Sequence, residues 1–103
     1  MAKYIYVAQM DIPPELEGEF NRIYDTQHVP DILKVKGVRS CNRYVLESAT
    51  VEGFPKYAAV YDIDSPEVVK SPEWRAAADK GDWKPKIRPH TFNRKHAIYR
   101  KLG

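Results

Sequence analysis

An α+β fold of ferredoxin-like form, β-α-β-β-α-β, is predicted for this 103-residue chain, with a four-stranded antiparallel sheet and both helices on one face. Three observations predict it. Four short runs of β-branched and aromatic residues are interleaved with two helical stretches in that order. Each helical stretch opens on proline followed by an acid, Pro13-Pro14-Glu15 and Pro66-Glu67. The length suits one core and no more, so residues 1–103 form a single domain.

The first strand spans Lys3 to Met10, where Tyr4, Ile5, Tyr6, Val7 and Ala8 form a nearly continuous β-favouring run. Asp11 to Glu15 turns into a helix from about Pro14 to about Gln27. Its stripe of Leu16, Phe20, Ile23 and Tyr24 recurs at helical spacing and suits covering a sheet. Pro30 cannot donate to Thr26 and disfavours helical geometry at Val29, so the helix is expected to stop or kink near His28. A short turn over Pro30 to Lys34 follows. Gly37 then opens the second strand, Val38 to Leu46. Strict alternation there puts Val38, Ser40, Asn42 and Tyr44 on one face and Arg39, Cys41, Arg43 and Val45 on the other. Glu47 to Lys56 is a polar loop, and Tyr57 to Ile63 is the third strand.

Asp64-Ser65-Pro66-Glu67 starts the second helical stretch, with Ser65 expected as its cap and Pro66 at the first position. Ser71-Pro72-Glu73 repeats the signal and launches Trp74 to about Lys80, which Gly81 ends. Asp82 to Pro89 is rich in proline and lysine and reads as a flap or arm. The last strand, Thr91 to Leu102, is irregular around Asn93-Arg94-Lys95. With the helices on one side, the other sheet face is left open and partly apolar. A second copy or a ligand is expected to cover it, and two sheets closing on each other would enclose a barrel with an inner cavity.

Composition narrows the function classes. Hydrophobic residues at 43% and charged residues at 30% describe an ordinary folded domain. No apolar run reaches the roughly 20 residues of a membrane span, and MAKYIYVAQM lacks a signal-peptide layout, so a cytoplasmic protein with no membrane partner is expected. The single Cys41 excludes an internal disulfide and a Cys-based zinc site. His28, His90 and His96 lack metal-ligand spacing, so no metal is expected. The net charge of +3 is concentrated in the C-terminal part without an RNA-recognition pattern. A solvated basic surface, or one that attracts a small acid, fits it better than nucleic acid.

The chemistry-bearing cluster is Tyr24-Asp25-x-x-His28-x-Pro30. Spacings of four and three allow Tyr24, Asp25 and His28 to share one helical face. A histidine at a broken helix end suits proton transfer, and the negative end would raise its pKa. Asp25 is a candidate to orient the imidazole; the competing reading is a solvent-facing carboxylate. The seven tyrosines suit a pocket that stacks on a flat ligand, with Tyr6, Tyr44 and Tyr61 as candidates to line it. Asn42 is a candidate hydrogen-bonding partner, Trp83 a lid or interface anchor, and His90 a candidate at a barrel mouth.

These residues also carry a resemblance. Tyr24-x-x-x-His28-Val29-Pro30, Gly37-Val38, Arg43-Tyr44, Tyr57-Ala58-Ala59-Val60-Tyr61 and Ser71-Pro72-Glu73-Trp74 resemble the dimeric α/β-barrel superfamily. EthD-like proteins and the RedY-like (HapK-type) proteins of prodigiosin-type pigment clusters are the branches it is most similar to. The resemblance covers Lys3 to Leu102 and implies a homodimer formed by sheet-to-sheet packing. It implies a cavity that handles small aromatic, pyrrolic or polyketide-like intermediates of secondary metabolism without cofactor or metal. It maps the family's helix-end histidine onto His28 and a packing tryptophan onto Trp74. The superfamily includes cofactor-free monooxygenases, cyclases and isomerases, besides haem enzymes much longer than this chain, so the fold leaves the reaction open. A non-catalytic binder or carrier of such an intermediate is the alternative.

Overall fold

The structure, a computed structural model, describes residues 3–103. Strands β1 (Tyr4–Asp11), β2 (Val38–Val45), β3 (Tyr57–Ile63) and β4 (Phe92–Arg100) form one antiparallel sheet in the order β2-β3-β1-β4. Between β1 and β2 the chain runs through a 3₁₀ turn (Pro14–Leu16), helix α1 (Glu17–Ile23), a π-helical turn (Tyr24–His28) and helix α2 (Val29–Leu33). Between β3 and β4 lie a 3₁₀ segment (Pro66–Lys70), helix α3 (Pro72–Ala78), a second π-helical turn (Trp83–Ile87) and a 3₁₀ turn (Arg88–His90). This is the expected ferredoxin-like order.

Strand register sorts the side chains. Tyr6 lies opposite Tyr61 and Ala8 opposite Ala59 on one face, while Ile5, Val7 and Val60 take the other. The first face meets the helical layer. There Phe20, Ile23, Tyr24, Ile32 and Ile87 join Tyr61 and Ile63 in one core. On the second face Ile5, Val7 and Val60 are half-buried, and Tyr44 and Tyr99 are exposed. The described residues thus leave an apolar surface uncovered.

Four expectations are corrected. First, the helix does not break at His28: the Val29 N–H bonds the Tyr24 carbonyl, and Val29 keeps helical angles before Pro30. The wider π turn carries the chain past the proline while remaining hydrogen-bonded. Second, Asp82 to Pro89 is not a flap. Trp83 and Ile87, four residues apart, both point into the core and are 3% and 1% exposed. Third, β2 does not alternate throughout: Val38 pairs with Ile63 but Ser40 with Asp62, so a bulge at Arg39 reverses the faces after Val38. Fourth, Ser65 makes no side-chain cap, whereas Ser71 Oγ accepts from the Trp74 N–H at 3.1 Å and starts α3.

Candidate active site

The two π turns face each other across the helical layer and supply one wall of a cavity of about 200 Å³. His28, the last residue of the first turn, stacks on Trp83, the first of the second, with ring centres 4.4 Å apart and planes 26° apart. Tyr24 meets His28 edge-on at 4.9 Å and Trp83 at the same distance. A side-chain clasp fixes this meeting. Gln27 Nε2 donates to Asp82 Oδ2 at 3.0 Å, and the Asp82 N–H donates to Gln27 Oε1 at 2.9 Å. Gly81, at φ +65°, makes room for it: a Cβ there would lie 2.6 Å from Gln27 Oε1. π turns are rare and gather at functional positions, and here both serve one cavity.

The sheet supplies the floor. Tyr6 and Tyr61, neighbours on β1 and β3, both line the cavity, and Trp74 of α3 packs edge-on against each at 5.4 Å. The Tyr24 and Tyr61 hydroxyls are 3.4 Å apart. Burial pushes Tyr24 up to about 12, against the opposing effect of the Tyr61 hydrogen bond, and pushes Tyr61 well above the usual phenol range. Both are therefore neutral hydrogen-bonding groups at physiological pH. Cys41, beside Tyr61 on β2, is pushed up to about 11 by burial and stays a thiol.

His28 is 7% exposed, and its Nδ1 is the only fully buried side-chain polar atom without a hydrogen-bond partner among the described residues. Its pKa is lowered to about 3, first by burial and then by the charges of Arg88, Arg43 and Arg94. The expectation of a raised pKa fails because no open helix end faces the ring. The π turn keeps its backbone bonds, and desolvation dominates. The site thus holds a neutral imidazole.

The other cavity-lining charges come from the end of the chain. Arg88 leaves the second π turn and is held by Asp79 Oδ1 at 2.7 Å and the Ala78 carbonyl at 3.0 Å. Arg94 and His96 project from β4 onto the covered face.

The sequence candidates divide sharply. His28, Tyr6, Tyr61 and Trp83 meet at this cavity. Asp25 does not: its carboxylate points outward to Arg43 Nη1 at 2.8 Å, and nothing binds it to His28. Arg43 itself lies over the Tyr24 ring at 4.4 Å and bonds Asn21. Asn42 and Tyr44 lie on the open face, because they pair with Val60 and Ala58. His90 is exposed in the Arg88–His90 turn, outside the cavity lining. Trp74, Arg88, Arg94 and His96 also line it and were not among the candidates. This cavity lies between sheet and helices. Among the described residues no group of three or more His, Cys, Asp or Glu could hold a metal.

The sheet order and layer arrangement are those of a ferredoxin-like fold that solved structures share over nearly the whole chain. Solved structures of the same fold include a candidate antibiotic biosynthesis monooxygenase from Bordetella bronchiseptica (TM-score 0.73, 14% identity, 100% of each chain). An EthD family protein from Bacillus halodurans C-125 gives a TM-score of 0.67 at 15% identity over 96% of this chain and 99% of its own. The heme-degrader MhuD from Mycobacterium tuberculosis, with two hemes in its active site, gives 0.65 at 12% over 97% of this chain and 96% of its own. No protein-family model matches the sequence. No curated protein matches it. The MhuD match shows that chain length does not separate heme proteins from this fold.

Proposed function

We propose that the protein takes a small aromatic, pyrrolic or polyketide-like intermediate of secondary metabolism into the cavity and transforms it without a cofactor, using His28 as the proton acceptor. One observation carries this reading: a buried neutral imidazole with an unpaired ring nitrogen, at the wall of an aromatic cavity. Buried polar atoms are nearly always paired, so an orphan marks a partner that arrives with the ligand. Flat walls, Trp83 beside His28 and Tyr6 beside Trp74, would hold a planar ring and align it for condensation, cyclisation or oxygenation. The protonated hydroxyls of Tyr6 and Tyr61 are donors for a carbonyl or developing enolate. We place the apolar open face of the sheet in a homodimer, where a second sheet covers Ile5, Val7 and Val60.

The low basicity of His28 favours a second reading, a binder or carrier that shields the intermediate. Native mass spectrometry of protein purified from its own source tests both: a dimer carrying a small aromatic adduct is expected. Incubating that compound with wild type and His28→Gln then separates the readings. Turnover that disappears in His28→Gln while the adduct still binds supports the enzyme. No turnover by wild type above the background rate supports the carrier. A monomer that retains no adduct would sink both.

A further inference from the structure

The cavity lining is electrically one-sided. It contains Arg88 and Arg94 and, among the described residues, no aspartate or glutamate. The two arginines differ. Arg88 is neutralised by Asp79, whereas Arg94 has no carboxylate partner among the described residues: its Nη1 donates to Thr91 Oγ1 at 3.0 Å and its Nη2 to His96 Nε2 at 3.2 Å. A guanidinium can only donate, so His96 Nε2 is an acceptor and the imidazole is neutral. Its pKa is lowered by burial, with the Arg94 charge adding to it.

The backbone is bent to put Arg94 there. On β1 a single residue, Met10, separates Gln9 from Asp11; on β4 two, Asn93 and Arg94, separate their partners Lys95 and Phe92. That is a β-bulge, and its first residue, Asn93, takes φ +52°, the only non-glycine with positive φ among the described residues. Asn93 Nδ2 holds the turn by donating to Asp11 Oδ2 at 3.0 Å and the Gly53 carbonyl at 2.8 Å. Bulges beside sites re-aim side chains, and this one leaves Arg94 and His96 on the covered face.

We infer that the ligand is an aromatic anion, a carboxylate or an ionised phenol or enol, bound with its charge on Arg94 and its ring between the Trp83 and Tyr6 walls. This rests on the cavity being the binding site, as proposed above, and adds the substrate class. Three features converge on it: an unneutralised guanidinium, an acid-free lining, and a volume slightly above the about 150 Å³ that houses one benzene ring. The anion also answers the weakness of His28 as a base. A negative charge in the cavity offsets Arg88 and Arg94 and raises the imidazole's proton affinity when a proton must move.

Both tryptophans of the chain, Trp74 and Trp83, line this cavity, so intrinsic fluorescence reports on it directly. Titrating the intact protein with benzoate and with benzamide, its neutral isostere, tests the inference. Benzoate is expected to bind at least tenfold more tightly than benzamide. Arg94→Gln is expected to reduce that preference to below twofold while leaving benzamide affinity unchanged. Arg94→Lys should keep a preference for benzoate. Equal binding of the two probes by wild type overturns the anion assignment and leaves the cavity reading intact. Loss of both probes in Arg94→Gln overturns it too, because Arg94 would then act only on the shape of the cavity. If neither probe quenches wild-type emission, the cavity is not a binding site and both readings fall.

Discussion

The two faces of the sheet share one alternating sequence and have opposite surfaces. On the covered face, Tyr6, Ala8, Tyr61 and Ile63 meet the helical layer and leave one gap, lined by aromatic rings and arginines. On the open face, Ile5, Val7 and Val60 stay half-buried, flanked by exposed Tyr44 and Tyr99. Among the described residues no side chain completes that surface. The difference teaches where each kind of specificity resides. A small ligand needs a concave site with converging polar groups, and the covered face offers one walled by aromatic rings. A second sheet needs a broad apolar plane, which only the open face has.

Four measurements would break or sharpen that contrast. Trp83→Ala, on the covered face, removes the partner of His28, Tyr24 and Phe20 and should cost about 3–5 kcal/mol in chemical denaturation. A cost below 1 kcal/mol would mean that the second π turn is not part of the core.

Acidification comes next. Burial lowers the folded pKa of His28 to about 3, below the ordinary imidazole value of 6.5, so the unfolded chain binds the extra proton between those pH values. Its contribution is complete above the unfolded pKa and is lost as pH falls toward the folded one. The expected loss between pH 7 and pH 5 is about 2 kcal/mol, and His28→Gln should flatten that limb of the stability profile. A limb unchanged in the variant would contradict a buried neutral imidazole.

Gly81→Ala strains a left-handed residue and displaces the Gln27 clasp, for about 1–3 kcal/mol by thermal melting. Wild-type stability in that variant would show the clasp to be dispensable.

The smallest change in the fold is expected on the open face. Tyr99→Glu should alter subunit stability by no more than about 0.5 kcal/mol, with unchanged far-UV circular dichroism. It should also shift the proposed dimer toward monomer in light scattering. A dimer that survives would place the contact elsewhere.

The fold could be read from the sequence wherever local chemistry was unambiguous. Four β-favouring runs and two Pro-acid starts determined the element order, and the structure has that order. The π turns could not be read this way. Residues 24–28 have ordinary helix-forming sequence, and only tertiary packing selects the wider hydrogen-bond register. That also misplaced Asp25: three-residue spacing aims it at His28 in an α-helix, but in the π turn it faces Arg43. Trp83 and Ile87 did carry a helical spacing, hidden among lysines and prolines that read as a loop. Asn42 and Tyr44 were candidates because strand parity alone does not say which face meets the helices. Arg94 was missed for a related reason. Its aim depends on a bulge whose position needs the partner strand's register.

The Gln27 to Asp82 clasp joins residues 55 apart in the chain, and two otherwise separate turns meet at it. Such a long-range closure carries a loop-entropy cost, so it belongs late in folding. It also makes the cavity wall a seam. The clasp and the His28 to Trp83 stack can part while every rung of the sheet ladder holds, a local opening with its own free energy below that of global unfolding. Amide exchange in residues 24–28 and 82–87 would then run faster than in β1 and β3. A ligand spanning the seam would slow exchange in both turns together.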